Sequence, residues 1–118
     1  MTGRARPAIW GLVGAFFLAT GLNVYALPAD GTVAAGQASI VTTKAAVTVN
    51  QSTQNAVINW QGFSIAQGEA VKFVQPNGNA VILNRVLGAD PSSILGSLSA
   101  NGKVFVVNPS GILFGSSA

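Results

Sequence analysis

Few residues of this chain have side chains that could carry catalysis. The 118 residues include no histidine and no cysteine, so Ser-His and Cys-His nucleophile pairs are excluded within the chain. The three acids, Asp30, Glu69 and Asp90, are far apart in sequence and lie beside turn residues, so neither a paired-carboxylate site nor a metal cluster is indicated. We therefore predict that the chain is not an enzyme, needs no cofactor, and acts by recognition.

Side-chain amides near turns are the most regularly placed polar groups. Asn84 and Asn108 each close a strand-like run, and they lie 24 positions apart. In stacked coils they would lie one above the other and bond to each other and to the turn backbone. The alternative is that each stabilises only its own turn, because asparagine tolerates a left-handed backbone. Gly111, close after Asn108, is expected to take a positive φ.

The same spacing relates three whole segments. Asn55–Ile58, Asn79–Ile82 and Lys103–Val106 each follow turn residues and continue into strand-forming residues. A fixed period in this range is typical of repeat architectures. We expect the three segments to stack in one parallel sheet of a solenoid. The alternative is chance similarity in a chain that is 49% hydrophobic.

From Gln37 onward the sequence is typical of short strands separated by turns. No ten-residue window has a convincing helical period, which indicates an all-β fold. Val104–Val107 is apolar at successive positions, which predicts burial on both faces. Ser92–Leu98 is predicted as a short strand or one helical turn. The other predicted strands include Ala38–Thr43, Ala45–Asn50, Ala56–Trp60, Ala70–Val74, Ala80–Leu87 and Ile112–Phe114.

Aromatic and basic side chains have structural interpretations. The aromatic residues lie at strand spacing, which favours a core over a sugar-stacking platform. The cations are spread along the chain, which favours solvated residues over a track for a polyanion. The residues concerned are Trp60, Phe63, Phe73, Phe105 and Phe114, and Lys72, Arg85 and Lys103.

Residues Met1–Ala26 have the three regions of a secretory signal peptide. Two arginines precede an apolar run at 8–22, and Val24 and Ala26 supply the small residues expected before a cut after Ala26. A membrane anchor is the alternative, but the run is shorter than the roughly 20 residues that span a bilayer. Cleavage would expose Leu27 and remove both arginines, so the formal charge of +3 does not indicate nucleic-acid binding.

The run ANGKVFVVNPSGILFG at Ala100–Gly115 is specific enough to indicate a family. It resembles the N-terminal secretion domain of two-partner secretion exoproteins, which include filamentous haemagglutinins and high-molecular-weight adhesins. One departure is Asn-Pro-Ser-Gly at Asn108–Gly111, where the family usually has Asn-Pro-Asn-Gly. The other matching residues are Ile58-Asn59-Trp60 with Phe63, Ile65 and Glu69, then Val71–Pro76, Leu83–Val86, and Ser93-Ile94 with Gly96 and Leu98.

The resemblance implies a right-handed parallel β-helix. Leu27–Ala118 is expected to be an incomplete N-terminal portion of such a domain, because family secretion domains are longer. The resemblance also implies export by inner-membrane machinery, periplasmic transit, recognition by an outer-membrane barrel with POTRA domains, and nucleation of β-helix folding at the cell surface. The implied recognition residues or structural turn residues are Asn84, Arg85, Asn101, Gly102, Asn108, Pro109, Ser110 and Gly111, with Ala26 as the cleavage residue.

Two other functions stay open on the sequence. The same secretion domain could precede a contact-dependent toxin or cytolysin in place of an adhesin. Alternatively, the chain could be a small envelope β-protein unrelated to secretion. An exported chain without cysteine suits a Gram-negative envelope or surface protein, and a host-surface receptor would be bound through regions downstream.

Overall fold

The computed structural model describes residues 26–118. This part of the chain contains ten strands and no helix, and accordingly no helix within it could cross a membrane. The predicted signal peptide lies outside the described residues, except for its last residue, Ala26. The strands are β1 (Thr32–Ala35), β2 (Ala38–Thr42), β3 (Ala46–Gln51), β4 (Asn55–Trp60), β5 (Ala70–Val74), β6 (Val81–Val86), β7 (Ser92–Ile94), β8 (Ser97–Ala100), β9 (Lys103–Val107) and β10 (Ile112–Phe114).

Three sheets are built by a chain that winds through each of them in turn. The first sheet has the order β9-β6-β4-β1, the second β2-β3-β5-β8, and the third pairs β7 with β10. One coil is β3 and β4, continued by a bridge from Ile65 to Ile94. The second coil is β5, β6 and β7, and the third is β8, β9 and β10. Strands of successive coils pair in parallel, so the fold is a parallel β-helix, as predicted.

The parallel stacking of the three repeated segments is confirmed, but their predicted register is wrong. Asn55 pairs with Val81, and Lys103 pairs with Val81 too, so the middle segment is displaced by two residues from its predicted position. The cause is the corner before β6, Gln75–Ala80, which is longer than the corners before β4 and β9. A two-residue slip leaves every side chain on its original face, because strand side chains alternate with period two.

The core lies inside the coils, where the inward side chains of the three sheets meet. Trp60 and Phe63 contact edge to face, with ring centroids 5.7 Å apart. Each fully buried large side chain stabilises the fold by about 1.5–3 kcal/mol relative to exposure. The core comprises Val47, Val49, Ala56, Ile58, Trp60, Phe63, Ile65, Val71, Phe73, Ile82, Val86 and Ile94.

Three of the five aromatic residues expected in the core are there, and two are not. Phe105 is 54% exposed and Phe114 is 68% exposed. Phe105 lies on the outer face of β9, whereas Val104 and Val106 pack against the core, so the predicted burial of this strand on both faces is wrong. A single layer of strands separates the interior of a coil from solvent. The segment that was predicted as a strand or a helical turn forms β7 and β8.

The two ends of the β-helix differ. At the N-terminal end, β1 pairs antiparallel with β4 and β2 pairs antiparallel with β3, so the first coil is covered in two sheets. At the other end, β8, β9 and β10 are each the last strand of their sheet. Such strands present backbone groups that can pair with a further strand. The last coil therefore has the features of a template for strand addition.

Candidate functional site

The eight residues predicted for recognition or turn formation occupy three places. Asn84 and Arg85 are in β6 of the second coil. Asn101 and Gly102 form the corner between β8 and β9, and the segment Asn108–Gly111 forms the corner between β9 and β10. The last two places belong to the third coil, at the end of the β-helix where the strand edges are unpaired.

Asn84 is completely buried and is part of the interior. Its Oδ1 accepts a hydrogen bond of 2.9 Å from Trp60 Nε1, and its Nδ2 donates one of 3.2 Å to the carbonyl of Phe105. It occupies an inward position of β6, between the core residues Ile82 and Val86. Buried polar groups are costly unless they are hydrogen-bonded. Here both ends of the Asn84 amide and the Trp60 indole N–H are hydrogen-bonded. Asn84 thus links all three coils.

Arg85 points to the outside of the same strand. Its Nε donates a hydrogen bond of 2.9 Å to Asn59 Oδ1, on the neighbouring strand β4. The adjacent outward row consists of Val57, Leu83 and Phe105, which are in register across β4, β6 and β9. The outer face of the first sheet therefore combines an apolar row with an exposed cation.

The Asn101-Gly102 corner is bound to the coil before it. The Asn101 amide accepts from Gln75 N at 2.7 Å and donates to Gln75 O at 2.8 Å, which extends the pairing of β5 with β8 by one step. Gly102 N donates to Gln75 Oε1 at 2.9 Å. A Cβ on Gly102 would lie only 2.8 Å from Gln75 Cδ, so a larger residue here would displace the hydrogen-bonded Gln75 amide.

Gln75 also belongs to a ladder of glutamines that the sequence analysis missed. It is buried, and its Nε2 has three acceptors within hydrogen-bond distance, Gln51 Oε1 at 3.0 Å, Ala80 O and Lys103 O, which share its two N–H groups. Gln51 Nε2 is likewise shared among the carbonyls of Thr53, Gln54 and Val81. Gln51 and Gln75 are 24 residues apart, so the repeat spacing was a signal that could have found this pair.

The Asn108–Gly111 corner is a tight turn fastened to the preceding coil. Gly111 N donates to Asn108 O at 3.0 Å, and Gly111 has a φ of 105°, which confirms the predicted positive φ. Asn108 Nδ2 donates to Asp90 O at 3.0 Å and to Ser92 Oγ at 2.9 Å. Ser110 N donates to Asn108 Oδ1. The turn is therefore held from within by the Asn108 amide, which is buried.

The expected stacking of Asn84 on Asn108 is wrong. The strand partner of Asn84 is Val106, and the side chain of Asn108 bonds to the 90–92 segment. The slip before β6 moves Asn84 into the strand, whereas Asn108 stays at the corner. The partner of Asn84 at the 24-residue spacing is Trp60. Pro109 and Ser110 lie on the exposed side of the turn, and Ser110 Oγ donates to Ala89 O at 2.9 Å.

The chemistry available to these residues is hydrogen bonding and strand pairing. Asp30 and Asp90 are exposed and Glu69 is buried, and residues 26–118 contain no group of three acids, histidines or cysteines that could hold a metal ion. The arrangement defines a β-helix whose Asn101-Gly102 and Asn108–Gly111 corners are hydrogen-bonded to the preceding coil and whose last coil offers free edges.

The comparisons with known proteins identify the family. The model of the TPS secretion domain, the two-partner secretion domain, matches residues 25–118. The chain belongs to this family. It is 41% identical over 87 residues to the heme/hemopexin-binding protein of Haemophilus influenzae strain Rd, and 47% identical over 72 residues to a second Haemophilus influenzae protein of that name. These alignments cover 74% and 61% of this chain.

The fold is also similar to a solved secretion domain. The crystal structure of the HMW1 secretion domain from Haemophilus influenzae superposes with a TM-score of 0.70 and 36% identity, over 75% of this chain and 23% of that chain. The chain spans only 10% and 8% of the two heme/hemopexin-binding proteins. Exoproteins of this family are secreted to the cell surface or the extracellular space, and their secretion domains are not enzymes.

Proposed function

We propose that this chain is the secretion-targeting segment of an adhesin-like or haemagglutinin-like exoprotein. Its partner is an outer-membrane transporter with a barrel and periplasmic POTRA domains. The observation that carries the proposal is the family match across residues 25–118, which includes both turns of the last coil. The small envelope β-protein unrelated to secretion is set aside by the same match.

Export includes the removal of Met1–Ala26. The preprotein crosses the inner membrane through the general export machinery, and the cut after Ala26 leaves a processed chain that starts at Leu27. The chain passes the periplasm unfolded, because a folded β-helix would have all but its end strands already paired. Mass spectrometry of secreted protein tests this step. A chain that retains Met1 would contradict it.

In the periplasm, the unfolded chain pairs with the POTRA domains by strand addition. Segments whose side chains alternate between the interior and the outer face, such as β5 and β6, have the extended pattern that adds to an open sheet edge. Outside the cell, the first coils fold onto the antiparallel cap of β1 and β2. The free edges of β8, β9 and β10 then template the coils that follow.

The residues of the motifs divide into two roles. Those whose polar atoms are used inside the fold serve folding, and those that face solvent are available to the transporter. Arg85, Pro109 and Ser110 face solvent. Asn84, Gly102 and Asn108 are bonded inside the fold. Asn101 and Gly111 are exposed, but their polar groups bond to the preceding coil, so we assign them to folding as well.

Binding of isolated, folded POTRA domains to the processed chain, diluted out of urea immediately before mixing, tests the proposal. We expect Arg85→Gln to weaken binding and Lys72→Gln to leave it unchanged. The two variants lose the same charge from exposed outward positions, but only Arg85, in the motif Leu83–Val86, is among the residues predicted for recognition. Absence of binding, or equal weakening by both variants, would contradict recognition through this motif.

The downstream part of the exoprotein is proposed to bind a target and not to act as a toxin. The names of the two Haemophilus influenzae relatives describe heme and hemopexin binding. These relatives are about ten times as long as the aligned region, so their binding activity could reside outside it. A cell-killing assay with the complete exoprotein distinguishes the two classes.

A further inference from the structure

Glu69 is a buried carboxylate with half of its bonding capacity unused. It is 5% exposed, and its Oε2 has no hydrogen-bond partner among the residues that the structure describes. Its Oε1 accepts from Ala66 N at 2.9 Å and from Ala26 N at 3.1 Å. Both donors are backbone amides. Buried carboxylates are normally paired with a cation, because burial of an unpaired charge is costly.

Local structure explains the position of Glu69 but not its charge. Residues Ala66–Glu69 form a turn closed by Glu69 N donating to Ala66 O at 2.9 Å, with Gly68 at a φ of 86°. The side chain folds back over this turn. A glutamine would offer the same acceptor to both amides without the cost of a buried charge. The negative charge therefore indicates a positive partner.

The N-terminal segment brings such a partner to this place. Ala26 is the residue after which the signal peptide is expected to be cut, and its amide already contacts Glu69. Cleavage removes that amide and creates an α-ammonium group on Leu27, one residue further along, a spacing of about 3.8 Å. Leu27 packs against the core and Pro28 is buried, so the new terminus is anchored beside the carboxylate.

We propose that Glu69 is the binding site for the α-ammonium group that signal cleavage creates on Leu27. An ammonium has three donors and can bond to both carboxylate oxygens, including the unused Oε2. The preprotein has a neutral amide there, so its fold lacks this ion pair. Removal of the signal peptide then stabilises the β-helix. The preprotein lacks the ion pair, so it is easier to hold unfolded while it crosses the inner membrane. The inference rests on the proposed removal of Met1–Ala26.

The test compares the processed protein with and without a charged terminus. The α-amine ionises at about pH 8, well below lysine, so mild acetylation near neutral pH blocks it selectively. Unfolding in urea is followed by the fluorescence of Trp60, which is in the core. We expect acetylation to lower the folding equilibrium constant about tenfold or more, in line with a hydrogen-bonded charge. In Glu69→Gln, acetylation should have no effect.

Asp30→Asn is the matched control, because Asp30 is an exposed acid in the same N-terminal segment and asparagine tolerates its φ of 55°. This variant should keep the full sensitivity to acetylation. Equal sensitivity in the parent and Glu69→Gln, or loss of sensitivity in Asp30→Asn, would overturn the pairing. If Glu69→Gln does not fold, the rate of acetylation of Leu27 in the parent protein decides. A slower rate in the native protein than in urea supports the ion pair of Leu27 with Glu69, and equal rates overturn it. A processed terminus other than Leu27 would also overturn it, whatever the result of the POTRA binding experiment.

Discussion

The buried Asn84 is the sharpest point at which to perturb the interior. Replacement by alanine would leave the Trp60 indole N–H and the Phe105 carbonyl without the partners they now have at 2.9 and 3.2 Å. The unsatisfied buried indole N–H costs about 1–3 kcal/mol, and the part-buried carbonyl adds less. We therefore expect Asn84→Ala to lower the free energy of unfolding by about 2–4 kcal/mol. That is a large share of the roughly 5–15 kcal/mol of a typical domain.

Urea unfolding of the processed protein measures this loss. With a urea dependence of about 1.5 kcal/mol per molar, a loss of 3 kcal/mol moves the midpoint by about 2 M. Asn79→Ala is the control, because Asn79 is exposed and its bond to Asn77 is made by the backbone N–H. Its expected effect is within about 0.5 kcal/mol.

A double-mutant cycle separates the hydrogen bond from the lost volume. Trp60→Phe removes the indole donor, so Asn84→Ala should cost less in that background, with a coupling of about 0.5–3 kcal/mol. Additive effects of the two substitutions, or an Asn84→Ala midpoint equal to that of Asn79→Ala, would refute the internal role of Asn84. Secretion should fall in step with stability if Asn84 serves folding alone.

Three further predictions concern the last coil. Asn108→Ala should lower both the melting temperature and secretion, because Asp90 O and Ser92 Oγ lose their donor; a loss of secretion with an unchanged melt would instead indicate that the turn is read by the transporter. Gly102→Ala should destabilise the fold by about 1–3 kcal/mol, because its Cβ meets the buried Gln75 at 2.8 Å, and a neutral result in urea unfolding would contradict the close packing. The isolated 118-residue product should self-associate through its free edges. Phe114→Lys, at a 68% exposed position, should reduce the self-association measured by sedimentation, and a parent protein that sediments as a monomer would contradict this prediction.

Much of the fold could be predicted from the sequence, because the repeat is visible in residue types. Asn55–Ile58 and Lys103–Val106 are two coils apart, and both the parallel sheet and the strand content follow from them. The register of the middle segment could not be predicted in the same way. The corner Gln75–Ala80 is long and the corner before β9 is short, so the two differences cancel. The spacing between Asn55 and Lys103 therefore stays at two repeats and does not reveal the shift of the middle segment.

Whether a polar side chain points into the interior or holds a turn was harder to predict than the strand content. Asn84 resembles Asn108 in sequence, yet one is inside a strand and the other holds a turn, because the slip changes where the strand ends. The Gln51–Gln75 ladder follows the period but was not recognised, because glutamine is not usually a core residue. The antiparallel cap of β1 was not predicted either, since Thr32–Ala35 has small residues and little hydrophobic alternation.

Secretion with and without the transporter tests the central claim most directly. The exoprotein is expressed in cells that have the cognate transporter, in cells that lack it, and in cells whose transporter has the barrel but no POTRA domains. We predict that the processed exoprotein reaches the surface or the medium only with the intact transporter and stays in the periplasm in the other two strains. Equal release from all three strains would contradict the assignment of this chain as a segment that targets secretion through the POTRA domains.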